Sequence, residues 1–277
     1  MRFPSAVRLF REQVHYQLLT FVRSPVGMFF TIGLPVVMLV LFNALFGDDT
    51  VTTPHGEWSV QQFYTGGLAA FTAVSATYTN LVNVVPIRRD EGTLKRWRST
   101  PMPTGVYLAG WITSAIAIAA AGVVLQLLLG LTLYDLELDA AKVPGLVLTF
   151  LVGVASFAAL GMGVAAIVPD ADSAPAVANA TILPLAFISD TFIPMDTDRP
   201  GWLTIADWLP LKPFVNAFQD TLNPLTDAPA IRWGKLAVVA VWGVLGVALA
   251  VSRFRWEPST TRQRQRRSRR SRHAPAD

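Results

Sequence analysis

The chain of 277 residues has no cysteine, three histidines and a charged fraction of only 15%. Without cysteine it can build no disulfide framework, no thiolate metal site and no cysteine nucleophile. His15, His55 and His273 stand far apart, and neither H-E-x-x-H nor G-x-S-x-G occurs, so zinc hydrolysis and serine catalysis have no support. A phosphate-binding loop is missing as well: Gly234-Lys235 runs into Leu236 and lacks the upstream glycine spacing. The chain therefore brings no ATPase motor of its own.

Apolar residues are plentiful by contrast, at 52% of the chain, more than a soluble domain usually carries. Runs of roughly 20 uncharged residues, at ~1.5 Å per helical residue, suffice to cross a ~30 Å hydrocarbon core. Six apolar segments, at about residues 26–46, 63–85, 106–133, 143–168, 177–193 and 233–254, are expected to be helices because open backbone finds no partner in lipid. The expected fold class is an all-α polytopic membrane protein with six transmembrane helices. Asn179, Thr181 and Pro184 mark the short fifth segment as broken or only partly spanning. The first segment is too long for a signal-peptide core and lacks a small-x-small cleavage site, so it reads as a retained span.

Lys and Arg set the orientation. With the N-terminus inside, 18 of the 23 fall on the cytoplasmic side, and only Lys142, Arg199, Lys212, Arg232 and Lys235 fall on the other. Both termini are expected in the cytoplasm. Before the first span, within residues 5–24, Val7, Phe10, Val14, Leu18 and Phe21 recur at spacings of three and four, with Arg8, Glu12 and His15 on another face. This predicts an amphipathic helix in the inner membrane interface, or one packed on its own protein. Residues 258–277 form a basic tail, with seven Arg between Arg262 and His273. Beside a membrane such a cluster gains roughly 1 kcal/mol per charge from anionic lipid, which favours membrane lipids over nucleic acid as its partner.

In the second segment Thr65, Thr72, Ser75, Thr79 and Asn83 fall on one helical stripe. Either they glue helices together or they wall a substrate path. The most charged stretch follows, with seven charged side chains between Arg88 and Arg98. Glu91, Lys95 and Arg98 share one helical face and Leu94, Trp97 and Pro101 another, which predicts a short amphipathic helix. Asp90 and Glu91 suit its first turn, and Pro101 with Pro103 ends it.

The run Arg89-Asp90-Glu91-Gly92-Thr93-Leu94, followed by Thr100-Pro101, resembles the first cytoplasmic loop of ABC-2 type transporter permeases, the membrane subunits of type-2 ABC exporters. The likeness extends over nearly the whole chain, residues 1–257, from the N-terminal connecting helix to the closing Arg253-Phe254-Arg255-Trp256-Glu257. It implies that Glu91, Gly92, Thr93, Leu94, Lys95, Trp97 and Arg98 form a coupling helix docked on a separate ATPase subunit. ATP and Mg would be bound there, and no cofactor by this chain. Pro184, Ser189, Pro194, Pro200-Gly201-Trp202-Leu203 and Pro210-Leu211 match the family's re-entrant outer segment after the fifth span, although Asp190 stands where many members have glycine.

The resemblance further implies a second permease copy, in a homodimer or with a similar chain, and a small amphipathic substrate such as a drug or antibiotic. A lipid or lipid-linked glycan is the alternative cargo. An ion-coupled secondary transporter or a non-transporting scaffold are readings of other classes. The possible path residues are Thr72, Ser75, Thr79, Asn83 and Asp190. Asp190, four residues before Pro194, reads as the one carboxylate inside a span, either capping a broken helix or lining the exit and favouring cations.

Overall fold

The computed structural model describes residues 5–53, 56–92, 104–194 and 201–253. Helix α1 covers Ala6–Val22, and the Ser5 hydroxyl caps it by accepting from the Arg8 N–H at 3.3 Å. A second cap, Ser24, with Pro25 at the first helical position, starts α2, which runs Pro25–Phe46. Its turn at Phe29–Gly33 is a wide π turn. Pro35 lies just beyond, and a proline that cannot donate to the carbonyl four residues back accounts for the loosened register.

A two-stranded hairpin follows, β1 at Thr50–Thr53 and β2 at Gly56–Ser59, with Val51 opposite Trp58 and both buried. The all-helical expectation did not include it, because residues 47–62 are polar and carry no long alternation. Helix α3 spans Val60–Asp90 and contains a second π turn, Ser75–Thr79. Helix α4 is Thr104–Leu133 and α5 is Val143–Ile167, led in by a short 3₁₀ turn, Ala140–Lys142. Helix α6 is Ala174–Phe187, a 3₁₀ stretch covers Gly201–Trp208, and α7 and α8 are Leu211–Leu222 and Trp233–Arg253.

Five of these helices, α2, α3, α4, α5 with its lead-in turn, and α8, are long and apolar enough to cross a membrane. The segment expected at 177–193 is instead the 14-residue α6 and a turn. At ~1.5 Å per residue such a helix reaches only about 21 Å, short of the hydrocarbon thickness. Its polar and proline residues are the physical reason.

Helix α3 is the axis of the molecule: 78% of its most apolar window is buried, against 17% for α2 and 22% for α8. It packs against α2, α4, α5 and α7, while α8 lies along α5. The α5–α8 contact is close because it is built from small residues. A Cβ at Gly246 would stand 2.5 Å from the Leu160 nitrogen, and one at Gly163 would stand 2.7 Å from the Gly246 carbonyl oxygen. Helix α1 rests on α4, burying Gln13 and Gln17 rather than its apolar stripe, whose Phe10, Val14, Leu18 and Phe21 are half-buried.

Candidate functional site

The cytoplasmic end of α3 in the predicted orientation carries the start of the charged stretch. Asp90 is the last residue of α3, not the first turn of the following helix. Gly92, at φ 72°, closes it in the left-handed conformation that glycine adopts without a Cβ penalty. Arg88 pairs with Glu91 at 3.3 Å on the surface. Arg89 is buried, and its Nη2 donates to the Val168 and Pro169 carbonyls at 2.8 and 2.9 Å. Asp90 Oδ2 accepts from the Ala171 N–H at 2.9 Å, and its other oxygen lies 3.7 Å from Arg89 Nε. Two adjacent residues of α3 thus grip the short connection from α5 to α6. The guanidinium sits at the carbonyl end of α5, where the helix dipole favours a cation.

The same connection is ordered from its far side, where Asp170 Oδ1 accepts from the Ser173 N–H at 2.9 Å. That bond, then the Ser173 hydroxyl, with a smaller contribution from the Arg89 charge, holds the Asp170 carboxyl below its usual range. Of the proposed docking residues, Glu91 and Gly92 follow this grip directly. Thr93, Leu94, Lys95, Trp97 and Arg98 lie outside the described residues.

The polar stripe of α3 does not stay on one face. Thr65 and Thr72 are fully buried against α4, where Gln126 Nε2 donates to Thr72 Oγ1 at 2.9 Å, and Gly122 and Gly130 make room for the two threonine methyls. Ser75 is buried, and Thr79 and Asn83 are half-buried. The π turn between Thr72 and Asn83 explains the division, because a wide turn shifts the helical phase that a regular 3.6-residue wheel assumes. Next to this turn the Tyr78 and Thr181 hydroxyls meet at 2.7 Å, joining α3 to α6. Asn83 Nδ2 donates to the Thr79 carbonyl at 2.8 Å, while Thr79 Oγ1 and Asn83 Oδ1 are buried without a hydrogen-bond partner.

Asp190 stands past the end of α6, not inside a helix, in a left-handed backbone conformation with φ 57°. Its carboxylate accepts from Asn216 Nδ2 at 2.9 Å and lies 3.4 Å from Lys212 Nζ, which is itself 3.6 Å from Asp207. Gln219 Nε2 donates to the Asp190 carbonyl at 3.1 Å and to that of Phe63 at 3.3 Å. Lys212, Asn216 and Gln219 were not anticipated. Their spacing of four and three residues on the strongly amphipathic α7 was the available signal, but nothing in the sequence pairs it with Asp190. A further ionic group on the same side joins Asp220 to Arg232 and Lys235, each at 2.9 Å. Among the described residues no group of three or more His, Cys, Asp or Glu converges to hold a metal ion.

The sequence profile of the ABC-2 type transporter family matches residues 8–223. An inner membrane transport permease of Escherichia coli K12, YadH, is 22% identical over 211 residues, covering 75% of this chain and 81% of the relative. The YadH proteins of Escherichia coli O157:H7 and Shigella flexneri match to the same extent. Together with five helices of membrane-crossing length and composition, these likenesses make the chain a multi-pass membrane protein.

Proposed function

Since the chain belongs to the ABC-2 type transporter family, we propose that it is the permease subunit of an ATP-driven exporter of small amphipathic compounds. A separate ATPase subunit binds ATP and Mg and docks on residues 91–98. The observation that carries this reading is the grip of Arg89 and Asp90 on the α5–α6 connection. A push on the segment after Gly92 would reach the base of α6 without passing through a flexible joint. Buried charged side chains hydrogen-bonded to the backbone of a connection move with it as a unit, because parting them leaves uncompensated polar atoms.

In this reading α6, the turn after it and α7 act together as the sixth membrane segment, re-entering from the outer side. Both termini are cytoplasmic. Two copies face each other, and the apolar faces left exposed on α2 and α6, including Val37, Leu41 and Leu183, meet the second copy or lipid. The half-buried Thr79 and Asn83 belong to the path, and Thr72 to the packing of α3 on α4.

Co-purification with each ATPase that a neighbouring gene is found to encode tests the reading, followed by ATP hydrolysis with and without the permease in lipid. Stable association and altered hydrolysis are expected. Failure of every neighbouring ATPase to associate would refute it.

A further inference from the structure

Between the end of α2, the β1–β2 hairpin, the start of α3 and the turn after α6 lies a cavity of about 600 Å³. That size falls within the roughly 300–1,000 Å³ of small-molecule sites. Its wall is aromatic: Phe42, Phe46, Tyr64, Phe187 and Phe192 all line it. Four of these rings form a continuous surface, with Phe42 4.7 Å from Tyr64, and Phe192 6.4 Å from Phe42 and 5.5 Å from Phe187. The Tyr64 hydroxyl proton is already engaged, donated to the Phe192 carbonyl at 3.3 Å. What the wall offers is therefore ring surface. Phe46 and Phe187, 44% and 52% exposed, leave the cavity open at its lip.

One carboxylate, Asp49, lines the same cavity. It differs from Asp190, Asp207 and Asp220, each of which is matched by a lysine or arginine. Among the described residues the Asp49 side chain has no hydrogen bond or ion pair, and the sequence holds no Lys or Arg between Gly47 and Gln62. An aromatic wall with an uncompensated carboxylate at its mouth favours one class of ligand. Ring faces attract a cation, the carboxylate neutralises it, and the hydrophobic body of the ligand covers the rings.

We propose that this cavity binds a lipophilic organic cation, with Asp49 as counter-ion and the five rings as its walls. The site deepens the export reading and rests on it only for what happens after binding. Binding itself needs neither ATP nor a partner.

The test is equilibrium binding of radiolabelled tetraphenylphosphonium to the full chain in phosphatidylcholine nanodiscs, with empty discs subtracted. Tetraphenylborate, of the same shape and opposite charge, is the matched comparison. Saturable tetraphenylphosphonium binding is expected, with tetraphenylborate failing to compete. Asp49→Asn should weaken it about two- to fivefold, as loss of one solvent-exposed ion pair would. Phe187→Ala, at the exposed lip where folding is least affected, should weaken it severalfold, and Glu57→Gln, on the hairpin but outside the cavity wall, should leave it unchanged. Binding no greater than to empty discs, equal binding of the two ions as a lipid-filled apolar cleft would give, or an unaltered Asp49→Asn would overturn the proposal. Because no ATPase is present, saturable binding by a chain that recruits no ATPase would leave the site standing and remove the export reading, and the reverse pattern would do the opposite.

Discussion

A buried ion pair is costly to halve and cheap to remove whole, and Asp190 with Lys212 is of this kind: their side chains are 12% and 3% exposed. Asp190→Asn leaves a lysine charge inside the protein, as Lys212→Met leaves a carboxylate. Each is expected to cost about 3 kcal/mol, at the low end for such pairs because Asp207 stays within 3.6 Å of the lysine. The double variant should cost clearly less than the sum of the two. Unfolding of the four proteins in detergent measures this, and strictly additive losses would dissolve the pair. Asp170 makes a different residue-scale claim. Its folded pKa lies below its ordinary 3.8 because the Ser173 N–H binds the charged form. The stability it contributes is therefore complete above the ordinary carboxylate pKa and lost as pH falls through the lower folded value. Asp170→Asn should flatten that part of the acid unfolding curve and leave the neutral range little changed. An acid limb identical to wild type would place the effect elsewhere.

At the scale of elements, the α5–α8 seam rests on backbone contact that only glycine permits. Gly246→Val would drive a side chain into the Leu160 backbone nitrogen, 2.5 Å from where its Cβ must sit. Overpacking of this kind costs about 1–3 kcal/mol or more, so the variant should melt early in detergent, whereas Gly234→Ala, with open space around its Cβ, should not. The long helices were legible because lipid-length apolar runs carry their own signal: 26–46, 106–133, 143–168 and 233–254 lie within two residues of α2, α4, α5 and α8. What escaped were features set by partners distant in sequence. The π turn that divides the Thr72–Asn83 stripe has no proline of its own to announce it. The shortening of α6 follows from Asn179, Thr181 and Pro184, but where it ends depends on Asp190 meeting α7. Arg89 and Asp90 read as the start of the coupling helix and not as a grip on the α5–α6 connection, because their partners are backbone groups of residues 168–171, distant in sequence. The coupling element itself is tested by function. Buried aromatic anchors often contribute over ~2 kcal/mol and exposed ion pairs about 0–1, so Trp97→Ala should uncouple transport from ATP hydrolysis more than Lys95→Ala. Equal, negligible effects in both would remove the docking role.

For the whole molecule the deciding quantity is the distribution of positive charge across the membrane. The side proposed to face outward holds Lys142, Arg199, Lys212, Arg232 and Lys235. Four of these are tied down. Lys142 Nζ donates to the Asn223 carbonyl at 2.7 Å, where the dipole of α7 favours a cation. Lys212 lies against Asp190 and Asp207, and Arg232 and Lys235 share Asp220. Their charge is offset within the fold. The opposite side carries nine Lys and Arg from Arg253 onward and five between Ile87 and Gly105; there Arg88 pairs with Glu91, and nearer the N-terminus Arg8 pairs with Glu12. The bias that retains Lys and Arg in the cytoplasm counts the cations themselves, and it stands at 18 against five. The absence of cysteine makes this directly testable, since one introduced thiol is the only one present. A cysteine at Thr53, at the end of β1, should react with a membrane-impermeant maleimide in intact cells. Cysteines at Ser99 and Ser268 should react only after permeabilisation, which also shows that each thiol is accessible once the reagent reaches it. Labelling of Ser99 and Ser268 but not Thr53 in intact cells would invert the molecule. The aromatic cavity beside Asp49 would then open to the cytoplasm, as an entry site in place of an exit.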